Sequence, residues 1–381
     1  MQKINKNVIF LGVVSFLTDV SSEMIFSVFS IFFTTILGAS TALLGVIEGL
    51  ADFCASSLDY IAGFLSDKSG RRKPFAILGY GFSTLAKIIL VIANSVLLAS
   101  LFRVVERLGK SFRGPPRDAW LSSFTTKQNR GFSFGIHKSF DKAGAILGPL
   151  IAYFILQYFG QNYSTFRLLF QIAIVPAVLS VLILALVKDK PSKPQKKENI
   201  FKAYKNLSKE YKHYFFTSAF FSLAYFSFGF LILKAYNTGF AVKDVVLLYA
   251  LFNITFVLSA PFVGQLGDRI GRRNIIISAY LIYLIISIGF IFASTKTAII
   301  TLFAIFGIFY AIDESQSKAY ISDLEKKKRA TAIGIYNFAT GIVYLPASII
   351  AGILWQINAS YSFVFSAVIS LVSLMFFVSR K

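Results

Sequence analysis

The chain of 381 residues has a single cysteine, Cys54, and two histidines, His137 and His213, far apart in sequence. One thiol excludes an intrachain disulfide, and this histidine and cysteine content offers no zinc-ligand spacing, so no metal or other cofactor is expected. No nucleophile with a base partner stands out, and the Gly79-Tyr-Gly81 pair falls inside an apolar segment rather than after a strand, so it is no nucleotide loop. Nor is there a long stretch free of apolar runs in which a signalling domain could fold. These absences count against an enzyme and against a receptor. Acids are scarce too, 18 Asp and Glu against 39 Lys and Arg, for a formal net charge of +21.

What is abundant is apolar: hydrophobic residues make up 56% of the chain. They recur in runs of about 20, the length that crosses the hydrocarbon layer of a bilayer. The runs read as spans at 8–37, 41–65, 74–94, 97–121, 131–158, 164–187, 214–238, 244–266, 275–295, 298–321, 331–355 and 358–379. The expected fold is all-α and integral to the membrane, with twelve transmembrane helices in two six-helix bundles. A polar, basic segment separates them, which divides the chain into 1–187, a linker at 188–213, and 214–381.

A charge of +21 in a soluble protein would point to nucleic acid, but here its distribution decides. Lys3 and Lys6, Lys68 to Lys73, Lys127 and Arg130, Lys188 to Lys212, Arg269 to Arg273, Lys326 to Arg329, and Arg380 with Lys381 fall in alternate loops. The intervening loops carry little beyond Lys243 and Lys296. That asymmetry is the positive-inside pattern and predicts a multi-pass protein of the cytoplasmic (inner) membrane with both termini cytoplasmic. No nucleic-acid partner is expected. The first apolar run holds Asp19 and Glu23 and no small-residue cleavage site, so it is read as a retained span rather than a signal peptide.

The two halves repeat a loop. Gly63-Phe-Leu-Ser-Asp-Lys-Ser-Gly-Arg-Arg72 returns as Gly264-Gln-Leu-Gly-Asp-Arg-Ile-Gly-Arg-Arg273, and Arg130 to Gly135 is echoed weakly by Arg329 to Gly334. In this frame Gly63 allows close helix approach, Asp67 sits near a helix N-terminus, and Gly70 makes the turn. The chain resembles the major facilitator superfamily, whose signature is this loop between helices 2 and 3 and whose fold is six plus six helices. Arg103, Glu106 and Gly109 resemble its second motif, with Arg107 in place of a glycine. Gly144-Ala-Ile-Leu-Gly148-Pro149 resembles the motif of its exporters, although Ala152 and Tyr153 stand where a glycine pair would follow. The resemblance implies a latch of Asp67, Arg71 and Asp118. By the repeat, Gly264, Asp268 and Arg272 belong to the second gate, and Gly148 with Pro149 is assigned to gating as well.

Charges inside spans carry the functional information, because each costs about 2.5–3.5 kcal/mol when left facing lipid at a helix centre. Span four holds Arg103, Glu106, Arg107, Lys110 and Arg113, all on one helical face at about 100° per residue. Gly114-Pro115-Pro116 is expected to kink or break the helix before Arg117. Arg103, Arg107 and Lys110, with Lys138 and Lys87, are the candidate substrate-binding cations, since guanidinium forks and ammonium groups suit carboxylate or phosphate. The alternative is a ladder of salt bridges, with Glu106 and Lys110 as a helical pair. Asp19, Glu23, Asp52, Glu106, Asp141, Asp313 and Glu314 are the candidate proton carriers, and Asp19 or Asp52 has the alternative of merely neutralising the span-four arginines. Tyr225, Phe226, Tyr310, Tyr336 and Tyr344 are read either as a second wall or as plain packing.

The expected function is proton-coupled secondary transport of a small anion by alternating access. An organic carboxylate, a phosphorylated metabolite or a polycarboxylate siderophore would suit the basic stripe. The alternative is a proton-driven efflux antiporter for drugs or amphipathic compounds. Beyond substrate, protons and the lipid bilayer no partner is called for, and a monomer is expected.

Overall fold

The computed structural model describes residues 5–126, 129–191, 204–325 and 329–379. Residues 192–203 of the predicted linker lie outside them. Every regular element among the described residues is helical: α1 (Lys6–Ile31), ending in a π-helical turn at Phe32–Ile36, α2 (Thr41–Ser69), α3 (Lys73–Ile92), α4 (Val96–Ser123), α5 (Arg130–Phe159) and α6 (Tyr163–Leu186) come first. After the linker follow α7 (Lys209–Phe221), α8 (Phe228–Asn237), α9 (Val242–Ile270), α10 (Arg272–Phe292), α11 (Lys296–Leu324), α12 (Arg329–Ile357) and α13 (Ala359–Ser379). Ten of these are long and apolar enough to cross a membrane. The fourth helix falls short because its charges are too dense, and the seventh span because it is broken.

That break corrects the continuous span expected at 214–238. Between α7 and α8 the helix opens over Ser222–Ser227, a stretch with neither glycine nor proline to announce it. Backbone groups freed inside a membrane need partners, and they are supplied locally. The Ala224 carbonyl accepts from the Tyr283 hydroxyl at 2.8 Å and from Ser366 at 2.6 Å. Ser227 caps α8, its hydroxyl accepting from the Gly229 amide at 3.1 Å. The same hydroxyl donates to the carboxylate of the buried Glu48 at 2.9 Å.

A second correction concerns α4, which runs unbroken through Pro115 and Pro116. Proline removes a donor and crowds the preceding turn, yet neighbouring helices hold this one in line. Pro116 is buried, Arg113 ties α4 to Ser83 of α3 at 2.9 Å, and Ser111 ties it to the Ala55 carbonyl of α2 at 2.9 Å.

The chain divides into two compact units, one of Met1–Ala39, Cys54–Lys197 and Val242–Ala250, the other of Ser40–Phe53, Glu198–Ala241 and Leu251–Lys381. The first unit therefore takes in the start of α9, and the second the start of α2. In the first, α1 packs on α5 and α6, and α3 packs on α4 and α6. One end is sealed by a core that includes Val8, Leu11, Tyr80, Trp120 and Leu184. The second unit is built around aromatic stacking, with Tyr225 parallel to Tyr283 at 5.4 Å and Phe221 on Tyr280 at 4.1 Å.

The repeated loop is repeated in conformation. Gly70 and Gly271 close α2 and α9 with positive φ of 67° and 90°, where a Cβ would be strained.

Small residues set the α3–α4 distance. A Cβ on Gly79 would lie 2.5 Å from the Arg113 amide nitrogen and 2.6 Å from the Gly109 carbonyl oxygen, whereas one on Gly81 would meet open space. Gly79→Val is expected to lose about 1–3 kcal/mol by overpacking and Gly81→Ala to leave stability nearly unchanged, as read by thermal unfolding of the purified protein. Equal losses at the two sites would refute close helix approach as the reason for Gly79.

Candidate functional site

In the first unit α4 presents its ionic stripe to α1 and α3. Arg103, Glu106 and Arg113 are buried at 4%, 0% and 5% exposure, so most of the stripe is framework. Arg103 Nη1 lies 3.7 Å from Glu106 Oε2 as an i,i+3 pair, and Glu106 also acts electrostatically on Lys110. The guanidinium of Arg103 also covers the Phe26 ring of α1 at 4.5 Å, and Arg107 shares that ring at 5.5 Å. Such cation–π contacts strengthen as water is excluded. No described residue donates a hydrogen bond to the Glu106 carboxylate, so it is held by surrounding charge: Arg107, Lys87 and Arg113 act on it together with Arg103.

Lys87 is fully buried on α3. Its ammonium donates to Ser22 Oγ of α1 at 3.2 Å and to the Ser83 carbonyl at 3.4 Å. Ser83 works twice, because its hydroxyl accepts from Arg113, whose guanidinium also covers the Tyr80 ring at 4.9 Å. This geometry suits a counter-charge to Glu106. Ser83 could not have been singled out from sequence, since its role comes from the glycine-set approach of α3 to α4.

Two cations of the stripe are less enclosed than the rest: Arg107 is half-buried and Lys110 exposed. They face acids of α1, with Lys110 interacting with Asp19 and Glu23, and Arg107 with Glu23. Glu23 also accepts from the hydroxyl of Tyr249, in the part of α9 that belongs to this unit. Towards the N-terminal end of α5, Asp141 gathers a second cluster. It accepts from Ser15 at 2.6 Å and pairs with Lys138 at 3.0 Å, while Arg117 reaches Ser15 at 3.2 Å and pairs with Asp118 at 3.0 Å. Lys138 is exposed and pairs with Asp141 in this cluster. Gly144 and Gly148 lie against the α1 backbone, where a Cβ on either would come within 2.6 Å of the Phe16 or Val20 carbonyl. Pro149 continues α5 without ending it.

The second unit is less ionic. Asp313 on α11 accepts from Ser317 at 3.3 Å, beside Glu314, in a helix surrounded by tyrosines. Tyr225 packs against Tyr344 at 5.8 Å, Phe226 against Phe230, and Tyr310 against Phe252 at 5.5 Å. Tyr336 lies parallel to Tyr214 at 5.9 Å. Asp52 falls in this unit too, one turn beyond Glu48. At the repeated loop Arg272 bridges Asp268 at 3.0 Å and Asp323 of α11 at 2.7 Å. Asp323 is a partner that sequence reading missed. Gly63, Asp67 and Arg71 occupy the matching end of α2 and the turn after it in the first unit, and a Cβ on Gly264 would meet open space. Among the described residues no group of three His, Cys, Asp or Glu side chains is arranged for a metal.

The family model described as Major Facilitator Superfamily matches residues 11–241 and 214–381. An uncharacterized MFS-type transporter of Methanocaldococcus jannaschii is 38% identical over 98% of this chain and 94% of its own length. A multidrug resistance protein, MdtH, of Photorhabdus laumondii is 30% identical over 35% of this chain and 33% of its own. Among solved structures the nucleoside transporter NupG superposes with a TM-score of 0.79 at 14% identity, covering 98% of this chain and 99% of that one. A bacterial homolog of the human lysosomal transporter Spinster gives 0.76 at 15%, covering 98% and 95%. At such identities the structural likeness establishes the fold, and the full-length sequence matches establish the lineage: this chain is a membrane transporter belonging to the major facilitator superfamily.

Proposed function

We propose that the protein is a proton-coupled secondary transporter of small anionic solutes. The carrying observation is the pair Arg107 and Lys110, cations on a transmembrane helix that remain accessible while the rest of the stripe is buried. A planar guanidinium beside a mobile ammonium suits a carboxylate or a phosphate. Organic carboxylates, phosphorylated metabolites and polycarboxylate siderophores are the matching classes. Asp19 and Glu23, facing the same cations, are the coupling acids: protonating either would release positive charge for the substrate, and losing the anion would favour their ionisation again. Arg103, Lys87 and Glu106 serve as the buried frame that orients Arg107. The loops at Gly63–Arg72 and Gly264–Arg273 act as gates, with Arg272 between two aspartates as the clearest latch.

In proteoliposomes with an inward-directed proton gradient, uptake of at least one radiolabelled anion from a panel of succinate, citrate and glycerol 3-phosphate is expected. Arg107→Ala and Lys110→Ala should each cut that uptake about tenfold or more, the loss of roughly 1.4 kcal/mol or more in binding. Unchanged uptake in both variants would sink the anion site.

The second reading, proton-driven efflux of drugs or amphipathic compounds, rests on the partial match to MdtH and on the Gly144–Gly148–Pro149 segment. Expression in a pump-deficient host discriminates: the anion reading expects unchanged resistance to ethidium and other hydrophobic cations, and raised resistance to several of them would favour efflux.

A further inference from the structure

The lysines of the first unit are not spread evenly over its charged end. Lys73, at the start of α3, donates to the Ala185 and Val187 carbonyls that finish α6, both at 2.8 Å. Lys190 donates to the Ser123 carbonyl at the end of α4, at 2.5 Å. Between them the Lys188 amide donates to Asn7 Oδ1 at 3.1 Å, and the Lys188 carbonyl accepts from the Trp120 indole at 3.1 Å. The segment after α6 is thereby pinned across the ends of α1, α3 and α4. Lys6, Lys73, Lys188 and Lys190 are brought to one corner, and Asp189 is the acid beside them.

A cavity of about 630 Å³ opens at this corner. Its lining mixes polar and apolar residues. Lys6, Lys188, Asn7 and Asn129 supply ammonium and amide groups, while Phe10 of α1 and Leu186 of α6 supply apolar surface. Phe10 is 38% exposed and Leu186 68% exposed, both on helices long and apolar enough to span a bilayer. A slot lined by both cationic and apolar side chains suits an amphipathic anion better than a wholly water-soluble anion or a neutral lipid. It matches a molecule with a phosphate at the membrane surface and acyl chains running down the helices.

We propose that this corner is a binding site for the headgroup of an anionic phospholipid. Lys6 and Lys188 neutralise the phosphate, the Asn129 amide donates to its oxygens, and Phe10 with Leu186 receives the first acyl carbons. The occupant is a bilayer lipid rather than free phosphate because Phe10, Phe124 and Leu186 share the lining with the cations, and Phe10 and Leu186 stand exposed on helices apolar enough to span a bilayer. The site is separate from Arg107 and Lys110, so its test needs no transported substrate.

The full-length protein, purified and titrated with phosphatidylglycerol or phosphatidylcholine, is followed by native mass spectrometry. The expected result is one phosphatidylglycerol retained with roughly tenfold preference over phosphatidylcholine, falling as salt rises. Lys6→Ala/Lys188→Ala should abolish the preference and Lys6→Arg/Lys188→Arg should keep it. Inorganic phosphate at matched concentration should not displace the lipid. Equal binding of the two lipids, a preference that survives the alanine pair, or displacement by inorganic phosphate would each overturn the proposal, the last by assigning the corner to a soluble anion.

Discussion

A charge left in hydrocarbon costs more than most side-chain contacts return, and α4 carries four cations and one acid between Arg103 and Arg113. Much of the first unit follows from that constraint. Glycines at 79 and 109 bring α3 close enough for Lys87 and Ser83 to join the stripe, and α1 supplies Phe26 as an aromatic face for two guanidinium groups. The buried members thereby gain partners in place: Glu106 for Arg103, ring faces for Arg103 and Arg113, and serine oxygens for Arg113 and Lys87. Arg107 is half-buried and Lys110 exposed, and the cost of keeping two such cations in a membrane helix is the reason the proposed anion site is placed on them.

The second unit repeats the scaffold and solves a different problem. Its turn at Gly271 copies the one at Gly70, and the arginine that follows, Arg272, holds two aspartates. In place of an ionic stripe it has a broken span whose free carbonyl is capped by Tyr283 and Ser366, and whose second half begins at Ser227 with Glu48 beneath it. Broken helices in transporters place backbone groups and helix ends near the transported species. The two units thus carry unlike chemistry on like frames: fixed charge in one, hydroxyls, rings and a side-chain-capped helix break in the other.

How much of this was legible beforehand depends on the range of the interactions. Spans, repeated loops and the one-sided stripe of α4 are local patterns, and they could be read from residue spacing alone. The failures are where distant residues decide. Ser222–Ser227 looks like any helical stretch until Tyr283 and Ser366 take up its carbonyl. Pro115-Pro116 looks like a stop until the packing of α4 on α2 and α3 is seen. Glu48, Tyr249, Ser83 and Asp323 carry no motif of their own, and each acquires its role from a partner far away in sequence. Lys87 and Lys138 could be identified as intramembrane cations, but only the structure shows the first buried among serines and the second paired with Asp141.

The central claim is that Arg103 and Glu106 stabilise each other as buried, opposite charges and so frame the accessible cations. A double-mutant cycle on thermal unfolding tests it, using Arg103→Gln, Glu106→Gln and the pair. Removing one partner strands the other, so each single variant should unfold well below the parent, and the double variant should lose much less than the two losses together, a coupling of about 0.5–3 kcal/mol. Losses that simply add would contradict the account.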